Sequence, residues 1–320
     1  MRWIVILIML VVLVPDWTGE PRLPLVRGDL RVQARGFVPA GGRPRRVGML
    51  EPVGALSLHA DDPAFGGFSA LALRRGEAIL LSDGGNVVRL RIRGGGIAVT
   101  HATGLADGPG TGWDKRTRDT ESLAVDPASG RMWIGYERAN AIWRYTPDAA
   151  RSDGHVAPAA MRDWGRNSGS ETLVRLNDGR FLTIREGVMA MRRPRPALLF
   201  DGDPVVRGTH AVALSYRPPV GYVPTDGAVL PDGDLLVVNR RWRFPFRFDC
   251  AIARVPARQV RAGAVMHGPV IARPTRVMGG ENVEGIAITR EGGATMVWLV
   301  TDNDLAVYRR TILAKFRLVD

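Results

Sequence analysis

A pattern of apolar and polar positions recurs five times along the chain, at intervals of 50 to 58 residues. In each copy a small or acidic residue opens an apolar strand, a turn follows, and a second apolar strand returns. The copies open at Phe68, Thr120, Ser170, Thr225 and Val283. The segment between the two strands is rich in Asp, Asn, Pro and Gly, the residues of tight hairpin turns. The pattern therefore predicts five pairs of antiparallel strands.

A period of about 50 residues with several strands per repeat is typical of a β-propeller. We therefore predict an all-β fold of five blades, each with four antiparallel strands. Two more strands are expected before the repeats, within residues 30–37 and 47–58. One of them is predicted to complete the last blade and close the ring, because closure removes exposed sheet edges. A six-blade ring, with the extra blade built from residues 28–58, is the alternative.

The N-terminus carries an apolar run over residues 3–14, directly after Arg2 and before Pro15. Twelve residues are too few to span a hydrocarbon core of about 30 Å, so the run is typical of a secretory signal. We assign residues 1–19 to a signal peptide or uncleaved anchor and residues 20–27 to a linker. Residues 28–320 are predicted to form one propeller domain, exported to the periplasm or the cell exterior. Any membrane contact is expected only through an uncleaved N-terminal segment.

The cysteine count and the net charge limit the kinds of metal site and partner that the protein can have. The single cysteine, Cys250, excludes an intramolecular disulfide and a cysteine-based metal site, and we expect it to be a buried apolar residue. The net charge of +12 comes almost wholly from arginine and favours anionic partners. A small anionic ester is the expected substrate. The protein is expected to be a monomer, and no specific nucleic-acid partner is expected.

A third hypothesis is that the arginine clusters form a platform that binds nucleic acid or lipid headgroups. The aromatic-rich stretch 240–247 is one candidate for such a platform.

Acidic residues recur where the first strand of a unit starts and where the second strand ends. In a propeller both positions lie at the same mouth of the central channel. The strand starts carry Glu121, Glu171, Asp226 and Glu284, and the strand ends carry Asp83, Glu137, Glu186 and Asp302, with Arg240 at the equivalent place in the fourth unit. Carboxylates gathered round one axis repel one another unless positive charge neutralises them. Since no His or Cys recurs at these positions, a hard cation, Ca²⁺, is the predicted cofactor.

Each residue receives a predicted role. The predicted metal ligands are Glu121, Glu171, Asp226, Glu284, Asp302 and Asp83. Glu186 is the predicted general base, and Arg185 or Arg240 is predicted to stabilise the developing anion. Glu137 is the weakest candidate, because the adjacent Arg138 can neutralise it. The alternative is that Arg138, Arg185, Arg240 and Arg241 pair with these carboxylates, so that ion pairs merely plug the channel.

Several stretches resemble the bacterial phytase-like family, often labelled "esterase-like activity of phytase". They lie between about residue 47 and the C-terminus, and they are the stretches 62–69, 119–126, 224–226, 282–287, 301–303 and 310–313. The resemblance implies an exported β-propeller that hydrolyses phosphate or carboxylate esters. β-Propeller phytases use clustered calcium ions and basic residues at the channel mouth, but this chain has two lysines and five repeats rather than six, which argues against phytate.

The sequence therefore favours a calcium-dependent hydrolase of phosphate or other esters at the acidic channel mouth. A serine hydrolase is disfavoured, because the chain has no Gly-x-Ser-x-Gly motif and no base is identifiable beside Ser69 or Ser122. The alternative function is a non-catalytic propeller of the cell envelope that binds a ligand or a protein and holds a structural metal.

Overall fold

The structure is a computed structural model, which describes residues 24–26, 28–42, 44–93, 96–110, 118–165, 168–187 and 193–319. Within these ranges the chain forms 22 strands in five sheets, and the helical structure consists of three short 3₁₀ turns at Ala159–Met161, Ala257–Gln259 and Pro274–Arg276. No helix of the described ranges is long and apolar enough to cross a membrane. The predicted signal or anchor segment and most of the predicted linker lie outside the described residues.

The first two strands are β1 (Gln33–Gly36) and β2 (Leu50–His59). Blade one follows with β3 (Phe68–Arg74), β4 (Glu77–Ser82), β5 (Asn86–Arg93) and β6 (Gly96–Gly104). Blade two contains β7 (Thr120–Val125), β8 (Met132–Tyr136), β9 (Ala141–Tyr145) and β10 (Ser152–Val156). Blade three contains β11 (Ser170–Arg175), β12 (Phe181–Arg185), β13 (Arg195–Phe200) and β14 (Ala211–Tyr216).

Blade four contains β15 (Val223–Val229), β16 (Leu235–Arg243) and β17 (Arg247–Val255), followed along the chain by β18 (Val265–Met266) and β19 (Val270–Ala272). Strand β18 pairs in parallel with β14, so it extends blade three, while β19 is the outer strand of blade four. Blade five contains β20 (Asn282–Glu291), β21 (Ala294–Asp302) and β22 (Thr311–Leu318).

The ring closes through the N-terminal strands. In blade five the strand order is β20, β21, β22, β2 and β1, so β2 pairs with the last strand of the chain. This confirms the predicted closure and the five-blade ring, because residues 28–58 join an existing blade instead of forming a sixth. The innermost strands β3, β7, β11, β15 and β20 contact one another in cyclic order and line the channel.

Hydrophobic packing lies between the blades. Five clusters of buried apolar side chains each join two neighbouring blades, so each of the five interfaces between blades contains one cluster. Cys250 is 1% exposed and belongs to the cluster between blades four and five, as predicted. Because each face packs against the next blade, the channel-facing ends of the inner strands are held at fixed positions.

Hydrogen bonds tie consecutive inner strands together near the mouth. The hydroxyl of Ser69 donates to the carbonyl of Thr120 at 2.8 Å, and the hydroxyl of Ser122 donates to the carbonyl of Ser170 at 2.6 Å. The small hydroxyl residues at strand starts are therefore structural links between blades.

Candidate metal centre

The pairing of β-strands shows that one residue at or near the end of each second strand is equivalent in all five blades. The first strand of a blade begins opposite the end of the second, as Phe68 pairs with Ser82 and Thr120 with Tyr136. The next residues along the chain are Asp83, Glu137, Glu186, Arg240 and Asp302. The structure brings these five predicted positions together at one mouth of the channel.

A β-bulge breaks the register of every inner strand at its second or third residue. The unpaired residues at the five bulges are Ser69, Glu121, Glu171, Thr225 and Glu284. A bulge re-aims a side chain out of the regular ladder, and here it places three glutamates at equivalent positions of the mouth. Thr225 takes this position in blade four, so the predicted alignment of Asp226 with the three glutamates is corrected by one residue.

Asp226 forms a link between blades four and five. Its side chain is 2% exposed, and its two oxygens accept hydrogen bonds from the backbone N–H of Gly227 at 2.7 Å and of Ile286 at 2.8 Å. Burial raises the pKa of this carboxyl well above its usual value. Since both oxygens are used by backbone donors, Asp226 supports the ring next to the cluster of glutamates.

Two groups of three carboxylates meet at the mouth between blades two and three. The first group is Asp119, Glu121 and Glu137, and the second is Glu137, Glu171 and Glu186. Within each group one oxygen from each residue lies within 4.8 Å of the others. Glu137 belongs to both groups, so the two form one continuous cluster, which we call the Glu137 cluster. Among the described residues, Asp83, Asp226, Glu284 and Asp302 lie outside both groups.

The carboxylates of this cluster perturb one another. Burial, followed by the charge of Glu171, raises the pKa of Glu121 well above its usual value, and burial followed by Glu186 does the same for Glu171. Burial and the neighbouring Asp119 raise the pKa of Glu137 to about 8. Each group is therefore costly to ionise while its neighbours are charged and no cation is present.

Arg240 pairs with two carboxylates of the mouth. Arg240 donates to Glu186 at 2.8 Å and also forms a close ion pair with Glu284. Burial raises the pKa of Glu284 to about 7, against the opposing effect of Arg240. The ion-pair alternative therefore describes the contacts of Arg240 in blade four with Glu186 of blade three and Glu284 of blade five.

On the other side, the basic residues named in that alternative contact groups other than Glu121, Glu137 and Glu171. Arg138 pairs with Asp119 at 3.1 Å, and Arg185 donates to the hydroxyl of Ser168 at 2.9 Å. Arg241 pairs with Asp249 outside the Glu137 cluster. In the part of the chain that the structure describes, no basic side chain forms an ion pair with Glu121, Glu137 or Glu171. This half of the mouth therefore holds more carboxyl groups than basic partners.

Gly169 positions the shared glutamate. A Cβ atom at Gly169 would lie 2.5 Å from the Cα atom of Glu137, so a larger residue does not fit there. The N–H of Gly169 donates to Glu137 Oε1 at 3.3 Å, and its carbonyl accepts from the N–H of Glu171 at 3.1 Å and of Glu186 at 3.3 Å. One glycine therefore fixes three members of the cluster through backbone contacts.

The donor set of the Glu137 cluster fits a hard divalent cation. All its ligand atoms are carboxylate oxygens, and Ca²⁺ prefers such ligands. The predicted ligands Glu121 and Glu171 and the predicted base Glu186 lie in this cluster, together with Asp119, to which the recurring pattern assigns no role. Asp119 precedes its strand by one residue and so lies outside the recurring positions. Glu137 was undervalued because Arg138 follows it, whereas the guanidinium of Arg138 contacts Asp119 instead.

The raised pKa values predict a pH dependence of stability in the absence of divalent cations. The pKa of Glu137 is about 8 in the folded protein, against about 4.3 for a glutamate in the unfolded chain. Between these values the folded state holds a proton that the unfolded state has released, so stability decreases as the pH rises from about 4.5 to about 8. Denaturation in EDTA should give a higher free energy of unfolding at pH 5.5 than at pH 8. Equal values would contradict the close packing of these carboxylates.

Comparison with known proteins agrees with this architecture. Residues 63–305 match the family model Phytase-like, described as "Esterase-like activity of phytase". A search of curated proteins found no match. Among solved structures, the chain is similar to a luciferin-regenerating enzyme, with 11% identity, coverage of 91% of this chain and 97% of that chain, and a TM-score of 0.44.

Two further solved structures show a lower similarity. A chain of the mitotic checkpoint complex has 12% identity, coverage of 93% of this chain and 81% of its own, and a TM-score of 0.39. A protein of unknown function from Bacteroides caccae has 13% identity, coverage of 77% and 69%, and a TM-score of 0.34. The family match extends over most of the five-blade ring and includes every residue of the Glu137 cluster. The chain therefore belongs to the phytase-like family.

Proposed function

We propose that the protein is a calcium-dependent hydrolase of phosphate or other esters, with its active site at the Glu137 cluster. The observation that carries the proposal is the pair of carboxylate groups that share Glu137, in which Glu121, Glu137 and Glu171 have no described basic partner. Several buried carboxylates held this close are strongly destabilised without positive charge. A divalent cation satisfies that requirement, and family membership supports hydrolysis as the reaction.

The residues of the cluster have different proposed roles. Asp119, Glu121, Glu137 and Glu171 would hold the cation, and the backbone of Gly169 keeps Glu137 and Glu171 in position. When bound, a divalent cation supplies Lewis acidity, which polarises an ester oxygen and lowers the pKa of a water molecule. Glu186 lies within the second group and is only partly buried, so its carboxylate is the candidate to accept a proton from water.

Arg240 is the better of the two predicted anion-stabilising residues. It contacts Glu186 directly and therefore lies at the edge of the Glu137 cluster, where a guanidinium favours negative charge on a reacting ester. Arg185 is held by Ser168 and has a pKa lowered by burial. The net charge of +12 also favours an anionic substrate.

The test is an assay of hydrolysis against panels of phosphomonoesters and carboxyl esters, with calcium or with EDTA. We expect turnover that requires calcium and that Glu186→Gln lowers by about 100-fold or more, the contribution expected of a general base. Calcium affinity, measured by calorimetry in parallel, should remain within tenfold of the wild type in this variant. Calcium binding without turnover of any ester would contradict the hydrolase.

Calcium binding without turnover would support the second candidate. This is a non-catalytic propeller of the cell envelope that binds a ligand or a protein and holds a structural metal. The observation in its favour is the bridge from Arg240 to both Glu186 and Glu284, which fills part of the mouth with ion pairs. A structural site is closed to water, whereas a catalytic site keeps an open position. The number of water molecules on a bound luminescent lanthanide, used as a calcium substitute, would separate the two candidates.

The proposal also places the protein outside the cytoplasm, on the basis of the apolar run at residues 3–14. Fractionation of bacterial cells that express the full chain should recover it in the periplasm, the medium or the membrane fraction. Deletion of residues 3–14 should leave the protein in the cytoplasm. Cytoplasmic recovery of the intact chain would contradict export.

A further inference from the structure

Exposed apolar side chains gather at one edge of the mouth face. The hairpin that joins β16 to β17 extends beyond the mouth, and its Trp242, Phe244 and Phe246 are 39%, 73% and 43% exposed. The loop between β21 and β22 adds Val307, which is fully exposed, and Tyr308, which is 60% exposed. The rings of Phe246 and Tyr308 pack 6.1 Å apart. Two elements from different blades therefore present one apolar surface to solvent, which we call the aromatic rim.

A basic groove of about 860 Å³ lies beside this rim, between blades four and five. Five arginines and one carboxylate belong to its lining, namely Arg243, Arg247, Arg273, Arg276, Arg310 and Asp249. Phe244, at the tip of the hairpin, also lines the groove, so the rim and the groove are continuous. The residues that line the groove do not include any residue of the Glu137 cluster.

The arginines of the groove are mostly held by neutral acceptors. Arg276 donates to the carbonyl of Gly41 at 3.1 Å, and Arg273 donates to the hydroxyl of Tyr222 at 2.7 Å. These contacts orient the guanidinium groups without neutralising them. Two carboxylates do pair with the set, Asp249 with Arg243 at 3.7 Å and Glu281 with Arg310 at 3.2 Å. Positive charge therefore remains in excess in the groove.

Exposed aromatic residues next to oriented arginines are the combination that binds a membrane surface. Trp and Tyr are favoured at the level of lipid headgroups, and arginine is attracted to anionic lipids and pairs with phosphate. A site for a small soluble anion needs the arginines but gains nothing from three exposed rings. We propose that the groove binds the phosphate of an anionic phospholipid headgroup while the aromatic rim enters the interface, so that this edge of the mouth face lies on a bilayer.

The rest of the mouth face is compatible with this orientation. Glu137, Glu171 and Glu284 are 5–7% exposed, so the acidic residues are recessed while the rim projects. The described chain also begins on this face. Val26 donates its N–H to the side chain of Asn86 at the mouth end of blade one.

The test uses a fluorophore at the tip of the hairpin. Cys250 is buried, so Phe244→Cys in the full chain can be labelled selectively with an environment-sensitive dye. We expect a blue shift and a several-fold rise in emission with equimolar phosphatidylglycerol and phosphatidylcholine vesicles, and little change with phosphatidylcholine alone. Arg258→Cys is the control, because Arg258 follows β17 on the opposite face. Binding of the full chain without a response at position 244 would overturn the proposal, since the N-terminal run alone would then hold the membrane.

A second pair of variants tests the groove. Arg243→Gln with Arg247→Gln should weaken vesicle binding by about fivefold for each arginine removed, whereas Arg258→Gln with Arg261→Gln should leave it unchanged. Binding should also weaken when ionic strength rises from about 0.1 M to about 1 M, since the Debye length falls from about 10 Å to about 3 Å. Calorimetry with inorganic phosphate separates the two sources of the anion. Phosphate binding that the arginine variants abolish, with no loss of vesicle binding, would overturn the lipid assignment.

Discussion

Glu137→Gln should weaken calcium binding by about two orders of magnitude. Glu137 is the one carboxylate common to both groups of the cluster, and the number and charge of carboxylate ligands set calcium affinity over several decades. Its pKa is raised to about 8 by burial and by Asp119, so a neutral amide matches the form that the cation-free protein favours. Calorimetric titration with calcium measures the affinity, and thermal unfolding in EDTA measures the stability.

The same variant should therefore be no less stable than the wild type in EDTA at pH 8, although it binds calcium poorly. Glu51→Gln is a suitable control, because Glu51 lies on β2 far from the mouth and forms only a 4.0 Å contact with Arg317. The control should bind calcium as the wild type does. Unchanged calcium affinity in Glu137→Gln would rule out the cluster as the metal centre.

Arg240→Met should destabilise the cation-free protein by about 2–3 kcal/mol at pH 8. Removing one partner of a fully buried ion pair costs about 3–5 kcal/mol, and the effect is smaller here because 23% of the Arg240 side chain is exposed. The loss leaves Glu186 and Glu284 without their guanidinium, so calcium should bind more tightly and restore part of the stability. Chemical denaturation with and without calcium measures both effects.

Arg254→Met provides a closely matched control. Arg254 also bridges two carboxylates, Asp232 at 2.6 Å and Asp234 at 2.8 Å, and its side chain is 25% exposed, but it lies at the opposite end of blade four. The carboxylate of Asp232 is 53% exposed, so water solvates it when the arginine is removed. We expect a loss below about 1 kcal/mol and no dependence on calcium. A calcium-dependent loss in Arg254→Met would show that the effect is not local to the mouth.

The recurring strand pairs made the blades and the ends of the second strands predictable from the sequence. Asp83, Glu137, Glu186, Arg240 and Asp302 lie at or near the ends of equivalent strands, and the structure places them at the same end of the five blades. The period of the pattern is sufficient for this, because a hairpin fixes which residues lie at the same end. Closure by β2 was also predictable, since the last repeat lacks a partner for its outer edge.

The bulges limited what the sequence could predict about the site. An unpaired residue shifts the register by one position, and Thr225-Asp226 in blade four has the same polar pattern as Thr120-Glu121 in blade two. Only the strand pairing distinguishes them, because Asp226 pairs with Val238 while Glu121 is unpaired. The ion pair between Arg138 and Asp119 could not be predicted from the sequence either. Whether Arg138 pairs with Asp119 or with Glu137 depends on the directions of the side chains at the turn.

The pairing of β2 with β22 also has a consequence for how the protein is made. Leu58 pairs with Thr311. Strand β2 is therefore synthesised early, but its sheet is complete only after β22 has been synthesised. Contacts between such distant parts of a chain slow folding. A nascent polypeptide that leaves the ribosome or a translocation channel N-terminus first therefore cannot complete the ring until β22 has emerged, and until then β2 has an unpaired edge.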